Sequence, residues 1–362
     1  MVATERSRHA VVTPSNGVNL AMIDFSLSDE IRRGRRMTVG IAAHPHRSVL
    51  EIGPGAPFRL DLTAWALRRR PHNAIDRWDG RGYRRVLVVD GGPVALSVTQ
   101  AGGPEAPRLS VTLAGRPMDP RSELLARSAL DRLLGLSVDL PAFATAAADD
   151  PLLGPLARRM RGLRPPRFPT VFEALVNGVA CQQLSLAVGI HLLNRLTADH
   201  GRPLCDDPRG PRAFPGPEEL APLEPDELKR HGFSTTKART IVETARAIVA
   251  GSLDLEELER LDDRAAAERL TSLRGIGRWT AEYVLLRGLG RLNVFPGDDV
   301  GAHNKLRRLF GIDTPLDHGS VQHLVARWQP YAGVVYFHLL LDSLYRDGLV
   351  TQHETGRHTG AG

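Results

Sequence analysis

The stretch that decides the fold reads Leu273-Arg274-Gly275-Ile276-Gly277-Arg278-Trp279-Thr280-Ala281, in a chain of 362 residues. The residues before it, 265–273, are typical of a helix, and a second helical pattern begins at Arg278 and runs to Gly288. Two glycines around one apolar residue allow a tight turn and leave backbone N–H groups bare of side chains. Because such amides and the helix dipole attract anions, we predict a helix–hairpin–helix that binds a phosphate at Gly275, Gly277 and Arg278.

A nucleotide-cofactor site is the first alternative for a glycine-rich turn. The dinucleotide fingerprint needs a third glycine and a preceding strand. Here Thr280 occupies the position of the third glycine, and the preceding element is helical. A loop that binds a DNA phosphate fits better, and such a contact positions the protein without reading sequence.

Two aromatic residues follow on the second helix. Trp279 and Tyr283 are four residues apart and therefore share one helix face. They are either core residues or a stacking surface for a base extruded from the duplex. An alkylated, cationic base would be attracted to their ring faces by roughly 0.5–2 kcal/mol.

Asp298 and Asp299 come after Phe295-Pro296-Gly297 and before a helical run from Val300 to Leu309. An Asp at this position is ordinarily an N-cap, and two adjacent acids allow one to cap while the other points elsewhere. A carboxylate at a helix N-terminus stays ionised. That state suits stabilisation of an oxocarbenium-like sugar, or activation of water, in N-glycosidic bond cleavage without a metal.

Composition limits the remaining classes of protein. The formal charge is +6, and the two cysteines, Cys181 and Cys205, exclude a disulfide framework or a four-cysteine metal site within this chain. No apolar run reaches the about 18–20 residues that span a bilayer, and the N-terminus has no secretory pattern. We expect a cytoplasmic, DNA-associated protein. The segment His353–His358 is one residue too long for a zinc-protease motif.

Working outward, the pattern predicts an α+β fold in four segments. Residues 1–54 are expected to be a flexible leader and residues 349–362 a flexible tail. Residues 55–120 predict a small antiparallel sheet domain with helices, because strand-like runs alternate with turn signals. Its first strand is expected at Phe58–Leu60. Residues 121–348 predict an all-helical core.

Within that core, polar residues interrupt the helical pattern at Gln182, Gln183 and Ser185. Thr170 is a plausible N-cap for the preceding helix, with Glu173 as its capping-box partner. Gln182 and Gln183 either cap a kink or face a polar ligand or DNA strand, and spacing alone gives these alternatives equal weight. Lys237, on the first turn of a later helix, opposes the helix dipole, which a nearby phosphate would relieve.

Together these motifs resemble the helix-hairpin-helix DNA glycosylase superfamily, and within it the alkyl-base branch, DNA-3-methyladenine glycosylase II. The resemblance covers residues from about 58 to 345 and rests on the hairpin at 273–281, the segment 295–301 and the motif Gln182-Gln183-x-Ser185. It implies that Asp299 is the essential aspartate, that Gln182 lies in the substrate pocket and that Gln183 lies near the residue wedged into the duplex. We expect Gln183, Ser185 and Lys237 to contact DNA. Glycosylases of the superfamily that also cut the backbone carry Lys where this chain has Trp279, which argues against lyase chemistry.

The resemblance therefore implies a monofunctional enzyme that hydrolyses alkylated purines of the 3-methyladenine type from double-stranded DNA. It needs no cofactor, although a monovalent cation could bridge the hairpin carbonyls at Gly275 and Gly277 to the phosphate. We expect a monomer. Some members of the family have Trp at the position of Leu340, and this difference leaves the lesion range open. A glycosylase for another lesion and a non-catalytic DNA-damage binder are the alternatives.

Overall fold

The computed structural model describes residues 46–207 and 209–350. They begin with five antiparallel strands that form one sheet, with helix α1 (Leu60–Arg68) between the first two. The strands are β1 (His46–Ile52), β2 (Arg77–Trp78), β3 (Gly82–Val89), β4 (Gly92–Ala101) and β5 (Arg108–Gly115). Their order across the sheet is β1-β5-β4-β3-β2, so only β1 lies out of sequence order.

The central strands alternate in burial, as expected for a sheet that covers a core on one face. Val94, Leu96 and Val98 of β4 are buried every second residue. β3 and β4 are joined by the two-residue turn Asp90-Gly91, and both of its residues have positive φ. Two residues with positive φ give the hairpin turn that matches strand twist, which explains the Asp-Gly sequence.

Two expectations for this region are wrong. Residues 46–52, assigned to the leader, form β1, which pairs along its whole length with β5. Phe58–Leu60, expected to be a strand, instead precedes and enters α1. The rest of the predicted leader lies outside the described residues up to position 45, and the predicted tail lies outside them from position 351.

After β5 the described chain is helical apart from the short pair β6 (Arg202–Pro203) and β7 (Arg212–Ala213). The predicted α+β class is therefore confirmed. In the part of the chain that the structure describes, no helix is long and apolar enough to cross a membrane. The helices are α2 (Pro120–Leu134), α3 (Pro141–Asp149), α4 (Leu153–Arg159), α5 (Val171–Cys181), α6 (Leu186–His200), α7 (Pro217–Leu220), α8 (Pro225–Arg230), α9 (Thr235–Val249), α10 (Glu257–Arg260), α11 (Asp263–Thr271), α12 (Arg278–Val284), α13 (Val300–Phe310), α14 (His318–Val325) and α15 (Ala332–Arg346).

The sheet and the helices share buried contacts. α2 lies past the expected boundary at residue 120, yet its Leu130 and Leu133 belong to the core of the sheet. Arg85 on β3 also reaches Asp76 at 2.9 Å and Glu173 on α5 at 2.8 Å, and all three side chains are at most 5% exposed. This ion-pair triad fixes the first turn of α5 to the sheet.

The start of α5 was predicted in part. Thr170 caps it, since its hydroxyl accepts the backbone N–H of Glu173 at 3.0 Å. The expected return bond of a capping box is not made, because the Glu173 carboxylate binds Arg85 instead. A long-range ion pair has thus replaced a local capping contact.

Candidate functional site

The predicted hairpin lies between α11 and α12, with Ile276 buried beneath it. Gly275 has φ +82°, and a β carbon there would lie 2.0 Å from the buried Thr240 hydroxyl on α9. Gly277 has extended backbone and meets nothing within 4 Å, and it forms the N-cap of α12. The first glycine therefore allows close packing of the hairpin, while the second leaves the helix N-terminus bare. α12 continues as a π-helical turn through Leu289.

Gln182, predicted to line the substrate pocket, ties the hairpin to the end of α5. Its amide nitrogen donates to the Gly275 carbonyl at 3.0 Å and to the Thr280 hydroxyl at 2.9 Å. The ammonium of Lys237, predicted to bind DNA, donates to the carbonyls of Ala180 and Gln182 at 3.1 and 2.7 Å. Burial lowers the pKa of Lys237. Both side chains thus stabilise the junction of α5, α9 and the hairpin.

Gln183 and Ser185, both predicted to contact DNA, lie in the turn between α5 and α6. Ser185 caps α6 by accepting the Val188 N–H at 3.3 Å. Gln183 is exposed and has φ +52°, a left-handed conformation that is unfavourable for any residue with a β carbon. Next to it, Leu184 is 43% exposed. The turn therefore presents a strained polar residue beside an apolar one at the surface.

The aromatic pair on α12 forms a ring contact, with centroids 5.5 Å apart and planes at 31°. Trp279 is partly exposed, and its indole N–H is buried without a hydrogen-bond partner in the described residues. Tyr283 is only 4% exposed, and its hydroxyl accepts from Arg69 at 2.9 Å. Burial raises the pKa of Tyr283. Of the two rings, Trp279 is the more exposed.

The two adjacent aspartates have separate partners. Asp299 caps α13, since one carboxylate oxygen accepts the Ala302 N–H at 2.8 Å, and the other accepts the Tyr336 hydroxyl at 2.8 Å. Asp298 pairs with Arg278 through two hydrogen bonds of 2.8 and 3.1 Å, which hold the pKa of Asp298 below its usual range. Asp299 is therefore the acid that caps the helix and also binds Tyr336, while Asp298 points elsewhere, towards Arg278. Arg278, predicted to bind DNA, is engaged by Asp298.

Sequence reasoning missed three residues of this site. Tyr336 on α15 has a pKa raised well above its usual value by burial and by the Asp299 carboxylate. Arg69, at the end of α1, is 4% exposed and connects Tyr283 to α5 by donating to Asn177 at 2.6 Å. Lys305 on α13 is partly buried near Asp299. Only the run Arg68-Arg69-Arg70 before Pro71 could have drawn attention to Arg69.

Side chains from three further elements converge on Asp299. The carboxylate acts electrostatically on Cys181 of α5, Tyr283 of α12 and Tyr336 of α15. Burial raises the pKa of the Cys181 thiol, so the thiol is neutral and apolar in character at neutral pH. Leu340, one turn after Tyr336, is 8% exposed and packs among apolar residues. The arrangement is a carboxylate beside aromatic and weakly polar side chains, which suits a flat cationic ring next to an electron-poor sugar.

The chain is similar to known base excision DNA repair proteins. Residues 176–330 match the family described as HhH-GPD superfamily base excision DNA repair protein. The DNA-3-methyladenine glycosylase of Bacillus subtilis is 32% identical over 204 residues, which is 56% of this chain and 67% of that protein. The DNA-3-methyladenine glycosylase 2 of Escherichia coli is 31% identical over 187 residues, which is 52% of this chain and 63% of that protein.

A solved structure is similar over most of the chain. The 3-methyladenine DNA-glycosylase from Archaeoglobus fulgidus superposes with a TM-score of 0.71 at 27% identity, covering 83% of this chain and 100% of that one. The matched family segment contains the Gln182–Ser185 turn, the hairpin and both aspartates. The chain belongs to the HhH-GPD superfamily of base excision DNA repair proteins and stands among the members named DNA-3-methyladenine glycosylase.

Proposed function

We propose that this protein is a monofunctional DNA glycosylase that removes alkylated purines of the 3-methyladenine type from double-stranded DNA inside the cell. The observation that carries the proposal is Asp299, a half-buried carboxylate held by the α13 amide and by the Tyr336 hydroxyl beside the aromatic pair. The relatives named above support the same substrate class. The protein acts as a monomer, and the product is an abasic site.

Cleavage of the N-glycosidic bond leaves positive charge on the sugar. Asp299 faces that charge as an anion whose orientation is fixed before the reaction by its two hydrogen bonds, so little reorganisation is needed. The same carboxylate accepts a proton from the attacking water. An alkylated purine is already cationic and leaves as a neutral base, so the site needs no strong general acid.

The base is held by stacking in this proposal. Trp279 offers its partly exposed ring, and the buried Tyr283 ring is in contact with it. Stacking against aromatic side chains is how enzymes hold a nucleotide that has been rotated out of the duplex. Because Trp279 occupies the position where lyases of the superfamily carry Lys, α12 supplies no amine, and water is the nucleophile.

DNA is positioned by backbone contacts on either side of the site. The amides at Gly275 and Gly277 bind a phosphate at the start of α12, and Gln183 fills the gap left by the extruded nucleotide. Gln182, Lys237, Ser185 and Arg278 contribute chiefly by holding these elements in place, as their internal hydrogen bonds indicate.

The test is release of 3-methyladenine from methylated duplex DNA under single-turnover conditions. Asp299→Asn should lower the rate by about 100-fold or more, the range expected for losing a charged catalytic group. Asp298→Asn is the matched control and should change the rate by less than about fivefold, because it breaks only a partly exposed ion pair.

Three results would contradict the proposal. Full activity of Asp299→Asn would show that Asp299 is not catalytic. An equal loss of activity in both variants would show that the roles of the two aspartates had been assigned wrongly. Tight binding of damaged DNA by wild type without any base release would favour a non-catalytic damage-binding protein.

A further inference from the structure

Lysine is rare in this chain. Of its 47 Lys and Arg residues only three are lysines: Lys229, Lys237 and Lys305. Lys229 is a surface residue paired with Asp226 at 2.8 Å, and the ammonium of Lys237 binds two backbone carbonyls. Lys305 lies on α13, six residues after the carboxylate to which we assign catalysis.

The amine of Lys305 and the carboxylate of Asp299 flank one gap above the first turn of α13. A β carbon at Gly301 would lie 3.0 Å from an Asp299 carboxylate oxygen and 3.7 Å from the Lys305 Nζ. The absence of a side chain at Gly301 therefore keeps the space between the two groups open. A sugar in contact with Asp299 would be within the reach of a four-carbon lysine side chain.

Within the described residues this amine has no hydrogen-bond or ion-pair partner, and the side chain that carries it is partly buried. Burial lowers the pKa of Lys305, Arg70 and Arg308 lower it further, and Asp299 and Asp347 act in the opposite direction. A lowered pKa favours the neutral form of the amine, which is the nucleophilic form. Arginine, which fills nearly every other basic position of the chain, cannot lose its proton in this way.

We propose that Lys305 captures the abasic product by forming a Schiff base with the C1′ aldehyde of the ring-opened sugar. The inference rests on the proposed function, because the abasic site is its product. The amine lone pair attacks C1′, the carbonyl oxygen takes up a proton, and the carbinolamine then loses water to leave a protonated C1′=Nζ imine. Addition of water reverses these steps and releases the aldehyde and the amine.

This step differs from the chemistry that Trp279 excludes. The base has already left when Lys305 reacts, so capture does not require an amine on α12. The expectation that the protein has no lyase activity rests on Trp279, and so on the lack of an amine at that position. Capture by Lys305 takes place on the product.

The experiment uses the full chain and a duplex with one abasic site, prepared from deoxyuridine and purified before mixing. Sodium borohydride reduces an imine to a stable secondary amine, so capture appears as a covalent protein–DNA band on a denaturing gel. We expect wild type to give this band and peptide mapping to place the adduct on Lys305. Lys305→Arg should give at most one-tenth of the adduct, and Lys229→Arg should match wild type within twofold.

Absence of an adduct in wild type, or an adduct on Lys229, Lys237 or the N-terminal amine, overturns the proposal. Peptide mapping needs only wild-type protein, so it decides the question even where Lys305→Arg folds poorly. Because the abasic site is made in advance, trapping is independent of base release. Trapping without release of 3-methyladenine would refute the proposed function alone, and release without trapping would refute this inference alone.

Discussion

The substitution Gly275→Ala should disrupt the hairpin far more than its small size suggests. Gly275 has φ +82°, and an L-residue held in a left-handed conformation loses about 1–2 kcal/mol. The new methyl group would also lie 2.0 Å from the hydroxyl of Thr240, which is 2% exposed and unable to move away freely. Overpacking of this kind costs about 1–3 kcal/mol. We expect the free energy of unfolding to fall by about 2–5 kcal/mol.

The neighbouring glycine supplies the control. At Gly277 the backbone is extended and a β carbon meets nothing within 4 Å, so Gly277→Ala should cost less than about 1 kcal/mol, mainly from a poorer N-cap. Thr240→Ala removes the closest clashing atom. The double variant Gly275→Ala/Thr240→Ala should therefore be more stable than the sum of the single effects predicts, by about 1–3 kcal/mol, while the backbone strain remains.

Stability is measured by urea unfolding, and binding to a duplex with an abasic site is measured on the same preparations. Of the variants, Gly275→Ala should lower the free energy of unfolding most and Gly277→Ala least. Equal costs at the two glycines, or strict additivity of Gly275→Ala with Thr240→Ala, would refute the claim that close packing on α9 sets the position of the hairpin.

Three further predictions concern the Asp299 carboxylate, the Arg85 ion-pair triad and the buried His338. Tyr336→Phe should slow base release by about tenfold or more, because the Tyr336 hydroxyl donates to the charged Asp299 carboxylate at 2.8 Å and such bonds contribute about 1.5–3 kcal/mol. A single-turnover rate within twofold of wild type would contradict this prediction. Arg85→Met should lower the free energy of unfolding by about 3–5 kcal/mol, because it leaves two buried carboxylates without their ion-pair partner. As a control, Arg161→Met breaks an exposed ion pair and should lower the free energy by less than about 1 kcal/mol in the same urea titration. Burial lowers the pKa of His338 from its ordinary value of 6.5 to about 4. The free energy of unfolding should therefore keep its full value above pH 6.5 and fall by up to about 1.4 kcal/mol per pH unit between pH 6.5 and 4. The substitution His338→Leu should flatten that slope in acid-unfolding curves.

The parts of the site that follow from the sequence depend on few consecutive residues. The hairpin turn, the Thr170 cap and the capping position of Asp299 are each set by local backbone chemistry. Strand β1 could not be predicted, because it is an edge strand in which only Leu50 is buried, so its seven residues show no clear alternation. The bond between Asp299 and Tyr336 joins residues 37 positions apart, and nothing in a single sequence identifies such a pair.

The structure places the two glutamines in different surroundings. Gln182 is fixed by the hairpin through its side chain and by Lys237 through its carbonyl, and Ser185 is fixed as the cap of α6. Gln183 lies between these anchored neighbours, exposed, in a left-handed conformation that costs on the order of 1–3 kcal/mol. Such strain persists only where the surrounding structure imposes it, and here the flanking hydrogen bonds do so. The proposed wedge and the proposed phosphate site are therefore parts of one connected unit, whose spacing is set before DNA binds.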